Sequence, residues 1–306
     1  MSITWTIVDP AGAGLLAETG FASYFDFINR QPGHEVGKGG TTRTTRLRIG
    51  SEPRTHVREK AISEPISPVM GPEASAASEQ VAPLKAHAPS APPTGVGGSV
   101  FFIKVYRYVG SQWRHRFRRD KASLEAANYE LLDEIGIGTP QVVAFGARRS
   151  GLRLLDAVIV TRGLPDVISL DRLFELRWPD AEDHAANALR REVVDRVVRE
   201  VRRMHDAEFF HIDLQWRNIL IGGLGDNGID VYFLDAPRGG LRTSPWAREH
   251  GRLRDLSCLY KEARRRLSRT EQLRWLLIYL GETRVTPATR AMIQALLFDR
   301  TVKDNE

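Results

Sequence analysis

The chain of 306 residues carries 44 Lys and Arg against 38 Asp and Glu, for a net charge of +6 and an isoelectric point near 9.6, with enough apolar residues for a sizeable core; such a balance favours an acidic partner. Its single cysteine, Cys258, excludes an internal disulfide framework and fits a reducing cytoplasm, and with no Cys/His cluster there is no zinc site to expect. No window approaches about 18 uninterrupted apolar residues, so no transmembrane helix is expected, and the opening stretch 1–10, with Asp9 and no basic segment, does not read as a signal peptide.

In chain order, the first informative stretch is Gly37-Lys38-Gly39-Gly40-Thr41-Thr42-Arg43-Thr44. Its glycines would let backbone amides approach phosphate oxygens. Thr42 breaks a strict G-x-G-x-x-G, and a plain glycine-rich hairpin turn accounts for the stretch nearly as well. Residues 51–98 hold half of the chain's 16 prolines and no Phe, Tyr or Trp. Such a segment cannot bury enough apolar surface to offset its ordering entropy, so a disordered spacer looping out of a sheet is expected, ahead of a docking arm for a membrane or protein.

An apolar strand over 100–106 follows, interrupted by Lys104. Next comes the densest basic run, Arg107, Arg114, His115, Arg116, Arg118, Arg119 and Lys121, interleaved with Tyr106, Tyr108, Trp113 and Phe117. Arginines with aromatics can grip single-stranded nucleic acid or lean on anionic lipid, and a solvated face is the plain alternative. A helix over 121–135 has Leu124, Ala127, Leu131 and Ile135 as its expected apolar face, with Glu125 at the margin and Glu130 and Glu134 in solvent. Residues 154–161 read as a strand feeding a hinge at Arg162, Gly163 and Leu164, whose backbone would meet an adenine ring, and Ser169 as a helix N-cap. Val193, Val194, Val197, Val198, Val201 and Met204 form the stripe of a buried amphipathic helix.

That helix leads into His211-Ile212-Asp213-Leu214-Gln215-Trp216-Arg217-Asn218, then a hairpin over 218–221 and 231–234 that ends at Asp235. The spacing is H-x-D-L-x-x-x-N with an aspartate closing an apolar strand, the order of a kinase catalytic loop and its metal aspartate. A transferring γ-phosphoryl needs positioning, metal ions and a base, and little covalent help. On this basis Asp213 is expected to accept the acceptor proton, Asn218 and Asp235 to hold Mg2+ with ATP, and His211 to brace the loop. Lys104 would reach the α- and β-phosphates unless it is an edge-strand lysine pointing to water, and Glu125 is the expected carboxylate that aims it. From Asp255 onward the chain reads as helical.

Taken together, Phe102-Ile103-Lys104, Glu125, Gly136-Ile137-Gly138-Thr139-Pro140, the stretch from Met204 to Asp213 and Leu234-Asp235 resemble the lipopolysaccharide core kinases of the Kdo/WaaP family. The resemblance implies an α+β, bilobal, protein-kinase-like fold: a small β-rich N-lobe over 1–160, interrupted by the 51–98 insert, and a mainly helical C-lobe over 161–306. It places Gly37, Gly39 and Gly40 in the nucleotide loop, with Arg162 and Leu164 beside the nucleotide, supports Glu125 over Glu130, and makes the helix at Asp255 a buttress of the catalytic loop. It implies ATP-dependent phosphorylation of a heptose or Kdo hydroxyl on a core saccharide or lipid-linked precursor, in the cytoplasm with peripheral contact to an anionic membrane and no nucleic acid. A protein or other small-molecule kinase, or a silent scaffold of the same fold, are the alternatives. Two departures bear on control: Asp235-Ala236-Pro237 replaces Asp-Phe-Gly, with Pro237 fixing φ, and Ile212 replaces the arginine that meets a phosphorylated activation loop. Both point to an unswitched enzyme.

Overall fold

The computed structural model describes residues 1–29, 34–39, 42–49, 99–109, 119–179, 187–224 and 228–298. The 51–98 segment and residues 110–118 of the basic run lie outside them.

Strands β1 (Ser2–Ile7), β2 (His34–Gly39), β3 (Thr42–Ile49), β4 (Ser99–Arg107), β5 (Val142–Ser150) and β6 (Arg153–Arg162) make one six-stranded antiparallel sheet in the order β1-β5-β6-β4-β3-β2. The two-residue period of a strand sorts its side chains between two faces. Phe101, Ile103 and Val105 of β4 join Val158 and Val160 of β6 in an outer core, roofed by α1 (Pro10–Glu18) and α2 (Tyr24–Asn29) through Leu16, Phe21, Tyr24 and Phe27. Tyr106, Ala157 and Ile159 face the other way, into a core shared with α3 (Lys121–Glu134) and with the C-terminal half of the chain. Lys104 shares a parity with Tyr106 and so lies on that inner face.

The strand and two helices at the N-terminus were not anticipated from sequence. Their signals are present: Ile3, Trp5 and Ile7 alternate, and Asp9-Pro10 is an N-cap followed by proline at the first helical position. Asp9 accepts from Gly12 N at 3.0 Å and pairs with Arg162 at 2.5 Å. Burial raises the Asp9 carboxyl, but these bonds outweigh it and hold the group below the ordinary aspartate value. The small residues of α1 leave an apolar cavity of about 270 Å³ against β1.

Helix α3 corrects the expected face. Its buried positions are Ala122, Glu125, Ala126, Asn128, Tyr129 and Leu132, whereas Leu124, Ala127 and Leu131 are only half-buried. Counting apolar residues missed this because three of the six buried side chains are polar and satisfied by one another or by nearby backbone. Glu125 is therefore central to the buried face, and Glu130 and Glu134 are exposed.

Beyond β6, strands β7 (Ile168–Ser169), β9 (Ile219–Gly222) and β10 (Asp230–Phe233) form a small sheet, and β8 (Phe209–Phe210) pairs with β11 (Gly240–Leu241). Around them pack α4 (Leu170–Arg177), α5 (Asn187–Asp206), α6 (Pro245–Arg266), α7 (Arg269–Leu280) and α8 (Pro287–Phe298). Val193, Val197, Val198, Val201 and Met204 of α5 are buried. Ser169 occupies the N-cap position of α4 without a side-chain cap bond. Helix α6 begins ten residues before Asp255, at Ser244-Pro245, where Ser244 Oγ accepts from Ala247 N at 3.3 Å. Among the described residues, no helix is long and apolar enough to cross a membrane.

Candidate active site

Register puts Gly37, Thr44, Lys104 and Ile159 in one row across four adjacent strands. From that row Lys104 Nζ reaches inward to Glu125 Oε1 at 3.1 Å and Oε2 at 3.2 Å, and to Asp235 Oδ1 at 2.6 Å. Burial of the ammonium opposes its charge, yet the two carboxylates outweigh this and raise its pKa above the ordinary lysine value. Glu125 is 2 % exposed and accepts two further bonds, one from the Tyr106 hydroxyl and one from Tyr129 OH at 2.9 Å. Burial and then the Glu125 charge push both phenols far upward, so they stay protonated donors. Tyr129 OH also accepts from Asp235 N at 2.9 Å. The two tyrosines were not anticipated, although Tyr106 is two residues from Lys104 on the same strand face and Tyr129 one helical turn from Glu125.

The catalytic-type loop is held from below by Asp255, which is fully buried. Its Oδ2 accepts from His211 N at 2.7 Å and its Oδ1 from Ile212 N at 2.6 Å. His205 Nε2 lies 3.2 Å from Oδ2, with Nδ1 2.8 Å from Tyr279 OH. Ile212 has φ 69°, a left-handed conformation that costs a β-branched residue on the order of 1–3 kcal/mol. The carboxylate's grip on the flanking amides keeps that turn in place. His211 Nε2 lies 2.8 Å from the carbonyl of Leu234, which can only accept, so this nitrogen carries the proton and braces the loop to the end of the hairpin.

Asp213 and Asn218 face each other across the loop. Asn218 Nδ2 donates to the Asp213 carbonyl at 2.9 Å, which turns its amide oxygen away from that carbonyl. Gln215 Nε2 donates to Asp213 Oδ1 at 2.6 Å, leaving Oδ2 outside that bond. Leu234 N donates to the Asn218 carbonyl at 2.8 Å, which ties the loop to the segment after β10 that carries Asp235. Asp235 has φ 59°, and the chain after it is fixed by Asn128 Nδ2, which donates to the Ala236 carbonyl at 2.6 Å and the Gly239 carbonyl at 3.0 Å.

Gly138 completes the junction. Its carbonyl accepts from Phe233 N at 2.9 Å, and a Cβ there would lie 2.5 Å from the Val231 carbonyl oxygen. Only glycine permits that approach.

The remaining expected residues fall apart from this group in different ways. Gly37 and Gly39 lie in β2, opposite Thr44 and Thr42, while Gly40 is outside the described residues. Arg162 ends β6 with its side chain on the outer face, over Phe101 and paired with Asp9, and its backbone N–H is taken by the Gln141 carbonyl. Leu164 is half-buried in the connection to β7. Among the described residues no cluster of three or more His, Cys, Asp or Glu is poised as a metal cage. An amide oxygen and a 43 % exposed carboxylate instead suit Mg2+ arriving with phosphates, since that ion keeps waters and needs one or two protein ligands.

A model of the lipopolysaccharide kinase (Kdo/WaaP) family matches residues 104–279. A solved structure described as WaaP in complex with acyl carrier protein is similar over 96 % of this chain and 95 % of that one, with a TM-score of 0.58 and 20 % identity. That likeness concerns the fold. No curated protein matches the chain.

Proposed function

Because the chain belongs to the lipopolysaccharide kinase (Kdo/WaaP) family, using ATP to phosphorylate a sugar hydroxyl of the lipopolysaccharide core, we propose that Lys104, Glu125, Asp213, Asn218 and Asp235 carry that reaction. The observation that supports this most is the position of Lys104 Nζ between Glu125 and Asp235. Glu125, itself fixed by Tyr106 and Tyr129, holds the ammonium where nucleotide α- and β-phosphates would meet it. Asn218 and Asp235 would offer the oxygens that hold Mg2+, whose charge would offset that of the phosphates. Asp213 Oδ2 accepts the proton of the attacking sugar hydroxyl while Gln215 holds Oδ1. Gly37, in the row of Lys104, and Gly39, in the row of Tyr106, supply backbone beside the phosphates, and Leu164 the apolar edge for the base; Arg162 contributes its backbone only, since its side chain serves Asp9. The acceptor is a heptose or Kdo of the inner core, presented at an anionic membrane surface.

The segment that follows Asp235 is held from α3. Asn128 and Tyr129 clamp the Asp235–Gly239 backbone from α3, and Pro237 restricts it further. Titration calorimetry with ATP, with and without Mg2+, tests the ligand assignment: affinity of the wild type should rise with Mg2+ and that of Asp235→Ala should not. Equal Mg2+ dependence in both proteins would remove Asp235 from the site.

A further inference from the structure

Trp246 is 78 % exposed, on a helix whose next turns sink beneath the catalytic loop. Tryptophan is highly buried on average, so an indole this exposed is a distinctive surface feature, and its position along α6 shows what it could meet. Its ring lies parallel to that of His250, with centroids 5.7 Å apart and planes at 9°. The two are one turn apart on α6, and one turn further Arg254 Nε donates to the carbonyl of Ile212 at 3.4 Å, the residue before Asp213. Positions 246, 250 and 254 thus form a stripe that starts in solvent and ends at the loop bearing the proposed base. At about 1.5 Å per residue it is roughly 12 Å long, the reach of two or three linked sugar rings.

The stripe is firmly mounted. Gly251 lets α6 press against Phe210, since a Cβ there would lie 2.6 Å from that ring. Arg248 pairs with Glu208, whose carbonyl accepts from Arg242 N at 2.9 Å, which ties the approach to α6 onto the turn before the catalytic loop. One face of the Trp246 indole rests on His250, and its other face forms a flat, electron-rich platform. The apolar C–H face of a pyranose stacks on such a platform while its hydroxyls stay hydrated.

We infer that Trp246, supported by His250, is a subsite for a non-reacting sugar of the acceptor, positioning a core oligosaccharide so that a neighbouring ring meets Asp213. This rests on the saccharide-kinase reading above. A membrane anchor fits less well: Glu249, three residues on along the helix, is exposed, and the stripe runs toward the catalytic loop.

Titration calorimetry with dephosphorylated core oligosaccharide and no nucleotide tests it independently of turnover. Trp246→Ala should weaken binding roughly tenfold, Trp246→Phe should restore most of it, and ATP affinity should not change. Wild-type affinity in Trp246→Ala, or no saccharide binding by the wild type, overturns the subsite. So does unchanged saccharide affinity with lost binding to phosphatidylglycerol vesicles, which would make the stripe a membrane anchor. Saccharide binding that depends on Trp246 without phosphoryl transfer keeps the subsite and refutes only the kinase reading.

Discussion

Lys104 illustrates how a single charge decides geometry at the residue scale. Replacing it with Met leaves Glu125 and Asp235 facing each other without a cation, so kcat/KM should fall by roughly 10²–10³, measured against circular dichroism to confirm the fold. Its pKa is raised above 10.5, so its stabilising charge is fully present below that pH and is lost only as pH rises through the raised value. A pH–rate profile between pH 7 and 10 should accordingly show no alkaline limb from this lysine. Cys258 is another residue-scale probe: burial pushes its thiol up to about 11 and shields it, so iodoacetamide should label it far more slowly in the folded protein than in urea at the same pH. The meeting of Lys104 with Glu125 and Asp235 was legible in sequence from the motif order, helix face and family resemblance on which the proposed phosphoryl-transfer roles rest. Tyr106 and Tyr129 were not, because a tyrosine in an apolar pattern carries no mark of what its hydroxyl meets.

At the scale of elements, sequence pattern located the strands around Lys104, the helix before the catalytic loop and the hairpin after it, and failed where polarity was buried or punctuation short. The register of α3 shifted because Glu125, Asn128 and Tyr129 are internally satisfied, and α6 began early because Ser244-Pro245 outweighed a polar first turn. Two glycines separate the roles that such residues play. Gly14, inside α1, has open space where a Cβ would go, so Gly14→Ala should add about 0.5–1 kcal/mol to unfolding free energy. Gly138 has a carbonyl oxygen 2.5 Å from that position, and Gly138→Ala should cost about 1–3 kcal/mol and loosen the hairpin bearing Asp235. Both are read from urea unfolding midpoints. Asp255→Ala, which unpairs two loop amides, should cost on the order of 3 kcal/mol or more and lower kcat with little change in ATP affinity.

For the whole molecule, one face of a β-sheet and one helical half close around a site whose parts come from β4, α3, the catalytic loop and the end of β10. Lys104 and the two carboxylates that meet it, Glu125 and Asp235, come from three different segments of the chain. The α+β plan was implied by the family resemblance that these motifs carry, whereas the outer roof of α1 and α2 followed from tertiary burial that local pattern signalled only weakly. The clamp from α3 onto the Asp235 segment argues for an enzyme that needs no activating modification, so protein purified from a host without kinases acting on it should be fully active. The most direct measurement incubates wild type and Asp213→Ala with γ-labelled ATP, Mg2+ and dephosphorylated core saccharide. Label should pass to the saccharide in the wild type and fall by about a hundredfold or more in the variant, with ATP affinity unchanged. Equal transfer by both proteins, or none by either while ATP binds normally, would contradict the assignment of Asp213 as the base of a saccharide kinase.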